Sequence, residues 1–216
     1  MSSGPDSFPD QSQRRHRGSG DDEDRHADDQ RLMSLVQAGD FGAFDQLYAR
    51  YSRPLMNFFY QMCFDRTASE DYLQETFFRV WRARATYRPI GKVSTWLFQI
   101  AKNYWLNERE KLKRRPFNKA TGGDHAAGWG DVADSSRSAQ PTDAARAHEV
   151  EEAIRAATGE LSEKLRLVFV LARHQGLAYA EISRVLDIPV GTVKSRMALA
   201  EKNLRRSLRP FLEGDA

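Results

Sequence analysis

A chain of 216 residues with 40% hydrophobic and 29% charged residues can bury one or two small cores and is too polar to sit within a membrane. Its formal net charge of +3 is unevenly distributed, acid early and base late, which bears more on a nucleic-acid partner than the total does. Cys63 is the single cysteine, which excludes an internal disulfide and a cysteine-based zinc cluster; without a long apolar run or an apolar N-terminal core, a cytoplasmic protein with no membrane insertion is expected.

Residues 1–28 mix Ser, Gly, Pro, Arg and His with the acidic cluster Asp21, Asp22, Glu23 and Asp24, and offer little to bury, so a disordered tail is expected. Helical patterning begins at Asp29. Leu32, Leu35 and Val36 open one helix, Gly39-Asp40 interrupts it, and Phe44, Leu47, Tyr48 and Tyr51 form the apolar stripe of the next. Pro54 allows a fresh start, after which Leu55, Phe58, Phe59 and Met62 recur at helical spacing, with Cys63 as a small core residue. Thr67 to Arg84 predicts a helix capped by Ser69 or Thr67. Leu73, Phe77, Val80 and Trp81 share one face, and Asp71, Gln74, Glu75, Arg79 and Arg82 project elsewhere, a pattern that by itself describes an ordinary solvated face.

Ala85 to Gly91, with Tyr87, Pro89 and Gly91, reads as a loop, and Ser94 is expected to cap the helix that follows. Trp96, Leu97, Ile100, Ala101 and Tyr104 account for its buried side. Phe98, Gln99, Lys102, Asn103, Asn107 and Arg109 are left over. An aromatic among polar and cationic groups suits unstacked single-stranded bases, because any base can stack and its phosphate needs countercharge. A core aromatic beside merely solvated polar groups fits the same residues at least as well. Lys111 to Arg115 is basic, and from Pro116 to about Asp143 Gly, Ala, Ser, Asp and Pro dominate, as in a flexible linker whose one large apolar group is Trp129. Helical spacing resumes with Val150, Ile154, Ala157 and Leu161. Ser162 then caps a helix burying Leu165, Val168, Phe169 and Ala172, and Gly176 ends it.

Tyr179 to Leu204 carries two apolar helical patterns, Ile182, Val185 and Leu186 in the first and Val193, Met197, Ala200 and Leu204 in the second. Between them Asp187-Ile188-Pro189-Val190-Gly191 supplies the breakers, and Thr192 is expected to cap the second helix. The segment reads as a helix-turn-helix, Tyr179 to Ala198, whose second helix presents Thr192, Lys194, Ser195, Arg196, Lys202, Arg205 and Arg206 against the single acid Glu201. Hydroxyl and cationic groups at the start and arginines at the end match a recognition helix that reads bases with its N-terminal residues and phosphates with the rest. Enzyme chemistry finds no support. Gly191 to Ser195 lacks the Gly-Lys pair and glycine spacing of a phosphate loop, and His16, His26, His125, His148 and His174 have no zinc-ligand spacing. No catalytic residue, cofactor or metal is therefore expected.

The stretch VLDIPVGTVKSR closely resembles the C-terminal helix-turn-helix of bacterial sigma factors, in particular the extracytoplasmic-function (ECF) group of the sigma-70 family. EDYLQETFFRVW resembles the segment with which sigma factors grip the coiled coil of the largest polymerase subunit; where the family often has Asp-Leu-Val-Gln-Glu, this chain has Asp71-Tyr72-Leu73-Gln74-Glu75. STWLFQIAKN is similar to the segment that melts and reads the minus-ten element, and Asn103 falls where the family commonly places an asparagine. The resemblance implies an all-α fold of two small helical domains: a tail over 1–28, sigma region 2 over 29–112, a linker over 113–147 that threads toward the polymerase active site, and sigma region 4 over 148–212. It implies polymerase contacts at Asp71, Gln74, Glu75, Phe78 and Arg79. Minus-ten contacts would come from Tyr87, Phe98, Gln99, Lys102, Asn103 and Asn107, with the loop from Tyr87 to Ser94 capturing a flipped base, and minus-thirty-five contacts from Thr192, Lys194, Ser195, Arg196, Lys202 and Arg205. The partners it implies are core RNA polymerase and promoter DNA, with an anti-sigma protein as a further candidate. A free-standing helix-turn-helix regulator and a protein-binding adaptor are the competing classes; the N-terminal bundle offers neither a heptad seam nor a ligand-pocket signal that a regulator would use.

Overall fold

The computed structural model describes residues 19–114 and 141–212, which fold into eight α-helices, with no strand among the described residues. Helices α1 (Ser19–Gln37), α2 (Phe41–Cys63), α3 (Arg66–Ala83) and α4 (Val93–Arg114) form an N-terminal bundle; α5 (Pro141–Glu160), α6 (Glu163–Phe169), α7 (Tyr179–Leu186) and α8 (Val190–Leu212) form a C-terminal one. Residues 1–18 of the expected tail and residues 115–140 of the expected linker, Trp129 included, lie outside the described residues.

The expected tail is shorter than residue 28, because α1 already begins at Ser19. Its end is fastened to α2: Asp29 is buried, accepting hydrogen bonds from the Tyr51 hydroxyl and the Arg50 guanidinium, and Arg50 also reaches Asp28 at 2.6 Å. Burial, with the Asp29 carboxylate beside it, pushes the Tyr51 hydroxyl pKa far up, as expected of a donor whose ionised form would face a carboxylate. The linker bounds also move, since α4 runs through Arg114 and α5 starts at Pro141.

Pro54 does not restart the chain. It sits inside α2, where the stripe of Leu47, Tyr51, Leu55, Phe58, Phe59 and Met62 stays buried straight through it. Proline removes one helical hydrogen bond, and the continuous apolar face outweighs that loss. Caps also differ from expectation. Asp65, not Ser69 or Thr67, caps α3 by accepting from the Ala68 amide at 3.0 Å, and Ser69 is turned inward with its hydroxyl on the Asp65 carbonyl. Helix α4 begins before Ser94, its first turn closing on the Lys92 carbonyl. At the other end of the chain Ser162 supplies only its carbonyl to the Leu165 and Arg166 amides, and Gly176 stops the following wide turn, Val170–His174, at a φ of +67°.

The bundles are not separate bodies. Buried residues of α1 to α4, among them Phe58, Phe59, Leu97 and Ala101, run continuously into Val168, Leu171, Ile182, Val185 and Met197 of the C-terminal half. A second, smaller cluster of Ala157, Leu161, Leu165, Ala200 and Leu204 closes α5 on α8. Helix α7 lies against α4, and α6 with its wide turn lies against α2.

Candidate nucleic-acid and polymerase-binding surfaces

The helix-turn-helix is built by α7 and α8. Glu181, three residues into α7, accepts a hydrogen bond from the Ala178 amide at 2.8 Å and so starts the helix. Asp187 ends it in the left-handed conformation, φ 55°, and the Ser183 hydroxyl donates to the Ile188 carbonyl at 2.6 Å, which holds the turn. Thr192 is not the cap of α8: the Thr192 and Val193 amides both donate to the Pro189 carbonyl, so the helix begins at Val190 and Thr192 lies in its first turn. Asp187 thus ends one helix and the Pro189 carbonyl opens the next.

Val193, Met197, Ala200 and Leu204 are buried on α8. The opposite side carries Lys194, Ser195, Lys202 and Arg205 exposed and Thr192 and Arg196 half-buried, so the residues expected to meet DNA fall outside the core and around one helix. The only acid in this stretch, Glu201, is engaged by Arg173 at 2.5 Å, leaving the face cationic. The helix N-terminus at Val190 adds its own positive end.

On α3, Asp71, Gln74 and Phe78 are exposed and Glu75 and Arg79 half-buried, a strip at spacings of three and four along one side. Glu75 pairs with Arg79 at 2.8 Å, and Arg79 lies 4.5 Å over the Tyr104 ring. Phe78 is 54% exposed, with the Arg82 guanidinium 5.6 Å from its ring centre among the described residues.

The residues expected on one outward face of α4 divide into two rows. Gln99, Asn103 and Asn107 keep to the outside, and Asn103 joins Glu75, Arg79, Arg82, Ile100 and Tyr104 around a shallow pocket of about 500 Å³. Phe98 and Lys102 turn inward, 2% and 8% exposed. Phe98 meets Phe58 edge-on at 5.7 Å, and burial pushes the Lys102 pKa down against the opposing pull of Asp187. Tyr87 is buried as well, edge-on to Trp96 at 5.0 Å with its carbonyl accepting from Gln37. These three placements correct the expected surface: Phe98 is buried against Phe58 of α2, Lys102 is buried within reach of the Asp187 charge at the end of α7, and Tyr87 is buried against Trp96. Trp105, absent from the expected buried set, is 5% exposed. Arg82, expected on the polar side of α3, and Tyr104, expected on the buried side of α4, both line the shallow pocket, a meeting of two helices that neither pattern signals by itself.

A helical protein with a recognition helix in one half and an exposed carboxylate, amide and aromatic strip in the other is a DNA-reading protein with a second macromolecular surface. The family described as Sigma-70 region 2 matches residues 47–115, and Sigma-70, region 4, matches residues 151–204. The chain is 32% identical over 185 residues to the RNA polymerase sigma-H factor of Pseudomonas aeruginosa, covering 85% of this chain and 95% of that one. It is 30% identical over 185 residues to the ECF RNA polymerase sigma-E factor of Haemophilus influenzae, covering 85% and 97%. Among solved structures it is similar in fold to CnrH in complex with the cytosolic domain of CnrY, with TM-score 0.61 and 24% identity over 88% of this chain and 99% of that one. It is also similar in fold to the sigma factor RpoE bound to the anti-sigma factor NepR from Bartonella quintana, with TM-score 0.58 and 20% identity over 77% and 96%. The chain belongs to the sigma-70 family of RNA polymerase sigma factors, in its extracytoplasmic-function group.

Proposed function

We propose a division of labour among three surfaces of this sigma factor. The strip Asp71, Gln74, Glu75, Phe78 and Arg79 docks on the largest-subunit coiled coil of core polymerase, where exposed Phe78 finds apolar cover and the polar groups set the register. The start of α8 reads the minus-thirty-five element in the major groove through Thr192, Lys194, Ser195 and Arg196, while Lys202 and Arg205 meet phosphates. The outer row of α4, Gln99, Asn103 and Asn107, contacts the minus-ten element; Phe98, Lys102 and Tyr87 take part only where α4 is uncovered. The protein performs no chemistry of its own and works in the cytoplasm beside the polymerase it directs. Responsiveness of its regulon to a stress or signal belongs to the same reading.

The observation that supports this most is the cationic, hydroxyl-bearing side of α8 opposite a fully buried Val193, Met197 and Ala200. Transcription in vitro with purified core polymerase on genomic fragments, with permanganate reactivity of unpaired thymines as the opening signal, tests it. Gln74→Ala/Glu75→Ala should abolish opening while leaving weak duplex binding, and Lys194→Ala with Arg196→Ala should each weaken holoenzyme binding by about 1–3 kcal/mol. Tight, specific duplex binding by the chain without core would instead identify a free-standing helix-turn-helix regulator, and opening without core would overturn the division of labour.

A further inference from the structure

Between Thr192 and Lys202 the outer side of α8 carries one large apolar side chain among hydroxyls and cations. Val193, Met197, Ala200 and Leu204 are buried, and on the other side Thr192, Ser195, Leu199 and Lys202 follow one another at spacings of three and four. Leu199 is 49% exposed, and its neighbour Ala198 is exposed as well. Counted from the start of the helix at Val190, Leu199 stands about 14 Å along the axis. It therefore lies between the hydroxyls of the first turns and Lys202, in the middle of the stripe that faces bases rather than at its rim.

The four bases differ in what they offer such a group. In the major groove guanine shows two acceptors, adenine an acceptor and a donor, cytosine a donor, and thymine an acceptor beside its C5-methyl group. Leu199 can make no hydrogen bond to any of them. The Ser195 hydroxyl, one turn before it, donates to the Thr192 carbonyl at 3.1 Å, so it turns lone pairs outward and has no proton left for an acceptor on a base. A guanine, adenine or cytosine edge set against Leu199 loses water without gaining a partner. Thymine sets a methyl group there, and two apolar surfaces leave water together.

We propose that Leu199 is a specificity-determining residue that selects a thymine within the minus-thirty-five element by packing on its C5-methyl group. This rests on the assignment of α8 to that element. The surroundings of Leu199 favour DNA over a protein as its partner. Three residues before it stands Arg196, three after it Lys202 and seven after it Arg206, a cationic frame that suits bases flanked by phosphates, whereas the buried centre of a protein interface is depleted of charge.

The test uses the holoenzyme and the promoter it transcribes best from genomic fragments in vitro. Each thymine of the minus-thirty-five element, on either strand, is replaced in turn by deoxyuridine, which removes the methyl group and nothing else, and affinity is read by competition binding. At one thymine or more the unmodified holoenzyme should lose about fourfold, the contribution of one methyl group taken out of water, while the Leu199→Ala holoenzyme binds both duplexes alike. Exchanging that base pair for any other should cost the unmodified holoenzyme about fivefold or more, and the variant less. Leu199 is exposed and alanine is the better helix former, so α8 should stay folded. If no thymine responds to loss of its methyl group, or if the response is the same in Leu199→Ala, the methyl contact is overturned. Should Lys194→Ala still weaken binding in that case, reading of the element by α8 survives; should it have no effect either, that reading falls as well. A Leu199→Ala chain that dissociates faster from core polymerase, with uracil making no difference, would place Leu199 against protein and overturn the proposal.

Discussion

Arg166 offers a quantitative check on how the two halves are joined. Its guanidinium donates to the carbonyls of Met62 at 3.1 Å, Leu161 at 3.2 Å and Gly159, and lies 5.4 Å from the centre of the Phe64 ring. It thereby closes the corner between α5 and α6 and fastens both to the end of α2. Arg166→Met keeps the apolar stem and removes every donor. A hydrogen bond from a charged donor contributes about 1.5–3 kcal/mol. The arginine is half-buried, and burial pushes its pKa down, so its own desolvation cost is relieved on substitution. Taking the low end for three bonds and subtracting that relief leaves a loss of about 3 kcal/mol. For a chain of this size that is a fall of about 6–12 °C in Tm. Urea unfolding followed by tryptophan fluorescence gives the free energy directly, provided the denaturant slope is unchanged. Arg166→Lys should recover less than half of the loss, because one ammonium cannot span carbonyls on both halves. A loss below about 1 kcal/mol for Arg166→Met, or full recovery with lysine, would refute the reasoning.

Phe98→Ala should cost about 3–5 kcal/mol of stability by leaving a cavity beside Phe58, whereas Lys102→Met should be neutral or stabilising, both read by thermal unfolding; a surface residue would show neither effect. Tyr51→Phe removes the donor that faces buried Asp29 and should lower stability by about 1–2 kcal/mol in the same measurement, with Arg50 still holding the carboxylate. Burial holds His174 below the ordinary histidine value of about 6.5, so the unfolded chain binds the extra proton first. Stability should therefore be fully present above that value and decline as pH falls through it, and His174→Gln should flatten the decline in urea titrations across that range. Lys202→Ala should weaken holoenzyme binding on all promoters alike and reduce the slope of log affinity against log salt by about 1, seen in filter binding at several salt concentrations.

Local chemistry determined much of this protein from its sequence alone. A proline and a left-handed aspartate between two apolar periodicities specify the turn of the helix-turn-helix whatever surrounds it, and the polar side of α8 follows from the spacing of Val193, Met197, Ala200 and Leu204. The α3 strip was legible for the same reason, since Leu73, Phe77 and Val80 bury one side and leave Asp71, Gln74 and Phe78 on the other. Helix ends were less legible, because a cap depends on which of several nearby oxygens wins: Asp65 outcompeted Ser69, and the Pro189 carbonyl pre-empted Thr192. Only tertiary structure decided α4. Its periodicity admits two buried sides, one facing α2 and α3 and the other facing α7, and no pattern within the helix says that the second exists. Phe98 packs edge-on against Phe58 of α2, and Lys102 is buried near enough to Asp187, some eighty positions away in the chain, to feel its charge, a neighbour that α4 cannot encode by itself.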